Sequence, residues 1–158
     1  MNKLGSFVAL FNNDMSKIFL VRRSDFPVWE IQGGGVENDE DVESTAIREA
    51  FEETGFKIQI LRKVAEYYKN GNIKTHLFQG KIISGKYKPE YKGCQGVWFE
   101  VSSLPKNMTN KIRVMIMDCL SKNKKVVKKK EPGIYNLQNL HLLFLHPIEV
   151  FKFIFGIN

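Results

Sequence analysis

Cysteine is scarce in this chain of 158 residues, with only Cys94 and Cys119 present. Two thiols cannot build the disulfide framework of a small secreted domain, and they match no metal-ligand spacing, so a reduced, intracellular protein is expected. Long apolar runs are missing too. No stretch reaches the roughly 18 uninterrupted apolar residues of a membrane-spanning helix. The most apolar segment, residues 137–157, is broken by Gln138, Asn139, His141, His146, Pro147, Glu149 and Lys152. The opening MNKLGSFVALFNNDMSK has one short apolar run before Asn12, Asn13 and Asp14, which reads as strand and turn rather than a secretory leader. There is no internal repeat. A cytoplasmic location is expected.

What is present is material for a core and an uneven distribution of charge. Hydrophobic residues make up 43% and aromatics 12%, enough to exclude disorder throughout. The formal net charge of +7 points to an anionic partner. Residues 1–121 hold 17 bases and 15 acids, whereas residues 122–158 hold 7 bases and 2 acids. Most of the excess therefore sits in the last quarter of the chain.

The pattern predicts a hairpin from residues 7–11 and 18–23 across NNDMSK, then a short strand at Trp29-Glu30-Ile31. QGGG reads as a break in regular structure. A helix is expected over residues 41–54, with Asp41 as N-cap and Gly55 as the stop. Residues 57–68 and 73–84 read as strands joined at Asn70-Gly71, a pair that tolerates positive φ. A strand over residues 96–101 and a helix over residues 110–120 follow, the helix burying Ile112, Met115, Ile116 and Cys119. The mixture implies a mixed sheet packed against helices.

On the helix after the glycines, Ala50, Phe51 and Thr54 fall within about 60° of Ile47, which predicts those four as the core stripe. Glu49, Glu52 and Glu53 gather on another face at i, i+3 and i+4, a spacing at which like charges repel. Arg48 offers partial relief. From Glu37 to Glu53 there are eight acids and one base, a local charge of −7 in a basic protein. A solvated acidic helix is one reading. A hard divalent cation held by carboxylate oxygens is the other, and Gly33-Gly34-Gly35 upstream favours it, because glycine lets backbone approach a ligand closely.

Gly34, five residues, Glu40, seven residues, then Arg48-Glu49-Ala50-Phe51-Glu52-Glu53-Thr54-Gly55-Phe56 resembles the complete Nudix box, G-x5-E-x7-R-E-U-x-E-E-x-G-U. Every fixed position matches; in the lead-in, Gln32 stands where proline is common. The resemblance implies an α/β fold, the Nudix α/β/α sandwich with a mixed β-sheet between helices, over residues 1–121. It implies hydrolysis of a nucleoside diphosphate linked to another moiety, using Mg²⁺ or Mn²⁺. On these residues, Glu52 and Glu53 would ligate metal, and Glu49 would ligate metal or act as base. The Gly34 or Gly35 carbonyl would complete the coordination, and Arg48 would orient the carboxylates. Glu40 would be structural, near the helix N-terminus. Substrate contacts are expected from Gly34, Gly35 and Glu37, and from Arg22 or Arg23 at the end of the second strand.

The remaining signals are weaker. Many relatives place another glutamate in the loop before the GVWFEV strand. Here that loop is KPEYKGCQGVW, where Glu90 is the only acid, and it is read as a catalytic candidate against a plain surface glutamate. Trp29, Tyr67, Tyr68, Phe78 and Trp98 are candidates for stacking on a base or for the core, and His76 reads as structural. No substrate-specific signature follows the box. Residues 122–158 read as a basic connector and an apolar, helical appendage. That appendage either packs on the domain or on a second copy, as in a homodimer, or serves with Lys122, Lys124, Lys125, Lys128, Lys129 and Lys130 to bind RNA or an anionic membrane. Packing with solvated lysines is the favoured reading. The alternative to an enzyme is a non-hydrolysing Nudix-fold module that binds nucleotide or RNA.

Overall fold

The computed structural model describes residues 4–24 and 28–133. Its first hairpin joins β1 (Gly5–Phe11) to β2 (Lys17–Arg22). Asn12 Oδ1 accepts from the Lys17 amide at 2.8 Å and Asp14 Oδ1 from the Ser16 amide at 3.0 Å, so side chains close the turn. β3 (Trp29–Glu30) pairs with β2. The glycine run expected to break the chain is instead β4 (Gln32–Gly35), antiparallel to β1 with Gly34 opposite Ser6 and Gln32 opposite Val8. Glycine is a poor strand former, but here it removes bulk where a strand lies close to its neighbours. A Cβ at Gly33 would lie 2.4 Å from the Ser6 carbonyl oxygen.

Helix α1 (Val42–Thr54) starts and stops where its caps dictate. Asp41 Oδ1 accepts from the Glu43 and Ser44 amides at 2.9 and 3.0 Å, and Gly55 takes the left-handed conformation at φ 71°. Next come β5 (Lys57–Lys69) and β6 (Asn72–Ser84), whose turn holds Asn70 and Gly71 at φ 53° and 76°. β7 (Gln95–Glu100), helix α2 (Asn110–Leu120) and β8 (Val127–Lys130) complete the described chain. The strands form one mixed sheet in the order β3-β2-β1-β6-β5-β8, with β4 also on β1 and β7 also on β2. The β1–β6 and β5–β8 pairs are parallel.

Alternation along the strands builds one core on each face. Ala9, Phe11, Leu20, Trp29, Ile31, Tyr67 and Leu77 pack against Ile112, Met115, Ile116 and Cys119 of α2, the stripe expected for that helix. Val8, Leu10, Phe19, Val21 and Phe78 pack against Ala46 and Ala50 of α1.

The stripe expected for α1 is corrected. Its buried residues are Thr45, Ala46, Ala50 and Thr54, whereas Ile47 and Phe51 are 39% and 52% exposed. Small side chains let α1 lie close to the sheet, and that closeness outweighs burial of its largest apolar residues.

The boundary expected after residue 121 is also crossed by the sheet, because β8 pairs with β5. The lysines there are not uniformly solvated. Lys129 pairs with Asp118 of α2 at 2.7 Å, while Lys128 and Lys130 face outward. Glu131 then meets Lys111 at 2.8 Å and the Thr75 hydroxyl at 2.7 Å. The expected appendage, residues 134–158, lies outside the described residues. No helix among the described residues is long and apolar enough to cross a membrane.

Candidate active site

The site forms where α1 lies across β4. Trp29 and Ile31 point into the core on the α2 side, so alternation turns Glu30, Gln32 and Gly34 toward α1. Glu49 descends onto Gly34 so closely that a Cβ there would lie 2.3 Å from Glu49 Oε1. One turn later, Glu53 Oε2 accepts a hydrogen bond from the Gly33 amide at 3.2 Å. The two carboxylates reach β4 because Ala46 and Ala50 keep the helix low.

Arg48 organises the acids around it. Its Nε and Nη2 donate to the two oxygens of Glu40, each at 3.0 Å, a bidentate clamp that also receives the Thr45 hydroxyl at 2.8 Å. Nη1 donates to Glu49 Oε1 and to Glu52 Oε2, both at 2.9 Å. Nη2 also reaches the Gly35 carbonyl at 3.5 Å. One guanidinium thus faces three carboxylates. The Arg48 hydrogen bond holds the Glu40 carboxyl below its usual range, against a small upward pull from burial and with help from Thr45. The same partners hold Arg48 firmly in its charged form.

Glu53 is held instead by the Gly33 amide. Burial pushes its carboxyl well above the usual range, the negative charges of Glu30, Glu49 and Glu90 add to this, and the Gly33 amide offsets it only in part. Glu49 is also pushed up, first by burial, with Arg48 opposing and Glu52 and Glu90 adding to the rise. Glu52 is the most open of the three, its side chain 45% exposed.

Of the other expected residues, Glu90 is exposed in the loop before β7, close enough for its charge to be felt at Glu49 and Glu53. Glu37 is exposed in the turn before α1, where its carbonyl accepts from the Glu40 amide. Arg22 stands opposite Trp29 and Gln95 on the face that carries Leu20, away from Glu49 and Glu53. Arg23 follows β2 and is exposed. Trp29, Tyr67 and Phe78 belong to the core. Trp98 is on the α1 face of β7, opposite Phe19, with its ring 39% exposed and edge-on to Phe19 at 5.4 Å.

Two residues near the carboxylates were missed in the sequence, Glu30 and Tyr87. Glu30 was legible from alternation with Trp29 and Ile31. Tyr87 comes from an irregular loop without periodicity. Its ring packs on Phe19 at 5.5 Å and Phe56 at 6.4 Å, and its buried hydroxyl finds no partner among the described residues.

A NUDIX domain model matches residues 1–119. The chain belongs to the Nudix family. Among its Nudix relatives is the "Putative 8-oxo-dGTP diphosphatase" of Bacillus subtilis (strain 168), 34% identical over 103 residues, which span 64% of this chain and 68% of the relative. The dihydroneopterin triphosphate diphosphatase of Haemophilus influenzae is 29% identical over 99 residues, spanning 62% of this chain and 61% of that one. In structure, a Streptococcus suis ADP-ribose pyrophosphatase superposes with TM-score 0.66 at 23% identity, covering 81% of this chain and 99% of that one. The Nudix fold and the pyrophosphohydrolase class expected from the box both agree with these matches.

The fit of a Nudix divalent metal rests on the donors themselves. Among the described residues, no three His, Cys, Asp or Glu side chains stand grouped around an ion position. Arg48 holds an oxygen of Glu49 and of Glu52, and Glu53 is turned to Gly33. Hard oxygen donors, a carboxylate whose charge is opposed by burial and by its acidic neighbours, and a glycine floor that only a missing Cβ leaves open nevertheless suit Mg²⁺ or Mn²⁺.

Proposed function

We propose that this protein hydrolyses a pyrophosphate bond in a nucleotide or nucleoside diphosphate derivative, using Mg²⁺ or Mn²⁺ held by Glu49, Glu52 and Glu53. One observation carries this reading: Glu49 and Glu53 are brought down together on Gly33 and Gly34, while Arg48 is committed first to Glu40. The charge left uncompensated there is what a divalent cation supplies. The names of the relatives support a phosphoanhydride substrate, since each contains a diphosphatase or pyrophosphatase activity.

When bound, Mg²⁺ or Mn²⁺ offsets the charge of the pyrophosphate and acidifies a bound water. The protein's part is placement. Arg48 keeps Glu49 and Glu52 in register through one Nη1, so rotation of either is resisted by the other. Glu40 holds the far edge of that guanidinium and fixes its plane. Glu53 sits deepest and makes the most demanding ligand, since its ionised form is costly without a cation. The Gly34 carbonyl serves as a backbone ligand. Glu49, or Glu90 from the loop facing it, takes the proton from the attacking water. Gly35 and Glu37 line the phosphate approach, and Arg23 at the end of β2 contributes positive charge there.

The test is a substrate panel: nucleoside triphosphates including oxidised ones, ADP-ribose, sugar nucleotides, dinucleoside polyphosphates and capped RNA. Chromatography of products identifies the bond cut. Glu52→Gln and Glu53→Gln should lose orders of magnitude in rate with the fold retained. Full activity in both variants refutes the site. Failure of every substrate with either metal moves the reading to a nucleotide-binding module.

A further inference from the structure

Gln32 is the residue the site does not yet account for. It is fully buried, and among the described residues neither Nε2 nor Oε1 has a hydrogen-bond partner. A carboxamide offers two donors and two acceptor positions, so burying one with none engaged is strongly unfavourable. An apolar residue of the same size would suit an ordinary core position better.

Its location gives the reason. β4 pairs with β1 in continuous register, placing Gln32 opposite Val8, which packs against Ala46 and Ala50 under α1. Along β4 its neighbours on that face are Glu30 and Gly34. Glu30 is felt electrostatically by Glu53, and Gly34 carries Glu49 directly above it. The amide therefore lies on the strand face that α1 covers, between Glu30 and Gly34 along the chain. Proline would leave no such group at this place.

We propose that Gln32 is a positioning residue for the metal site, its Oε1 accepting a hydrogen bond from a water bound to the metal and its Nε2 donating into the same carboxylate pocket. The inference rests on the proposed divalent-metal reading. Outer hydrogen-bond partners of this kind typically change metal affinity by about 10–100-fold when removed.

The experiment uses the full chain and Mn²⁺ alone, titrated by the EPR signal of free Mn²⁺, with melting temperature in EDTA measured in parallel. Gln32→Met preserves length and removes both polar atoms. It should melt in EDTA no lower than the wild type, yet bind Mn²⁺ at least about tenfold more weakly. Gln32→Glu retains an acceptor oxygen and should bind Mn²⁺ within a few-fold of the wild type, while melting lower in EDTA because it adds a buried charge.

Wild-type Mn²⁺ affinity in Gln32→Met overturns the inference and leaves the metal reading intact. So does an equal loss of affinity in both variants, or a lower melting temperature for Gln32→Met in EDTA, which marks a purely structural amide. If Gln32→Met does not fold, Gln32→Glu decides alone: retained affinity supports the proposal, and a tenfold loss rejects it. Absence of Mn²⁺ binding by the wild type overturns the metal reading as well.

Discussion

Gly33 and Gly34 are neighbours, yet one added methyl group at each should break different things. A Cβ at Gly34 would stand 2.3, 2.5 and 2.7 Å from Oε1, Cδ and Oε2 of Glu49. All three atoms are the end of one side chain, so the clash is relieved by swinging that carboxylate aside. Ordinary contact requires a displacement of about 1 Å. A misplacement of that size at a reacting centre costs about 100-fold in rate, or ~2.7 kcal/mol of activation free energy. The fold should hardly notice, with a loss below about 1 kcal/mol and a melting temperature within about 3 °C.

At Gly33 the same methyl would meet the Ser6 carbonyl oxygen at 2.4 Å and Phe7 Cα at 2.7 Å, at a φ of +153°. Both atoms are backbone of β1, so β4 must lift from its partner. That costs about 1–3 kcal/mol or more, as overpacking generally does. Thermal melts of both alanine variants, with initial rates on the best substrate of the panel, separate the two effects. Wild-type kcat in Gly34→Ala would refute the placement of Glu49. A melting temperature in Gly34→Ala as low as in Gly33→Ala would refute the claim that its clash is local.

Other outcomes follow from the same contacts. Glu53→Gln removes a carboxylate whose charge is opposed by burial and by Glu30, Glu49 and Glu90, so in EDTA it should melt higher than the wild type while activity is lost. Phe51→Ser should cost under about 1 kcal/mol because that ring is 52% exposed, whereas Ala46→Leu, fully buried under α1, should cost about 1–3 kcal/mol in a chemical denaturation curve. Burial pulls Glu131 upward, but Lys111 and Thr75 outweigh it and hold it below the ordinary value of 4.5. Its contribution is therefore present above pH 4.5 and lost as pH falls through the depressed folded value, a loss that Glu131→Gln should abolish in a melting series. His76, beside Lys63 and Glu66, is held below 6.5 by burial and then by Lys63, with Glu66 opposing. Stability should decline as pH falls below 6.5, and His76→Gln should flatten that decline.

The elements were legible wherever local chemistry dictates them. Asp41 and Gly55 bound α1, Asn70-Gly71 turns the long hairpin, and the α2 stripe follows from its own period. The acids proposed for the site stand out in the sequence too, because carboxylates at i, i+3 and i+4 conflict with one another unless something else resolves the conflict. Glycine composition misled at β4, since a strand without side chains looks like a break until a helix is laid across it. The large apolar residues misled at α1 for a related reason. Ile47 and Phe51 are the natural core stripe of an isolated amphipathic helix, but the helix must come close to β4, and only Thr45, Ala46, Ala50 and Thr54 allow it.

Sequence by itself determined the family, the caps, the turns and the set of carboxylates to which the proposed cation is assigned. Tertiary structure alone decided which acid is open and which is deep. It pairs Arg48 with Glu40 across eight residues of chain, exposes Glu52, and lowers Glu53 onto the Gly33 amide. It also turns Glu30 and Gln32 to the strand face under α1 and draws the lysines of β8 into the sheet. The physical reason is that residue type and spacing fix local conformation, whereas burial and the potential at a carboxylate depend on strands and helices distant in the chain.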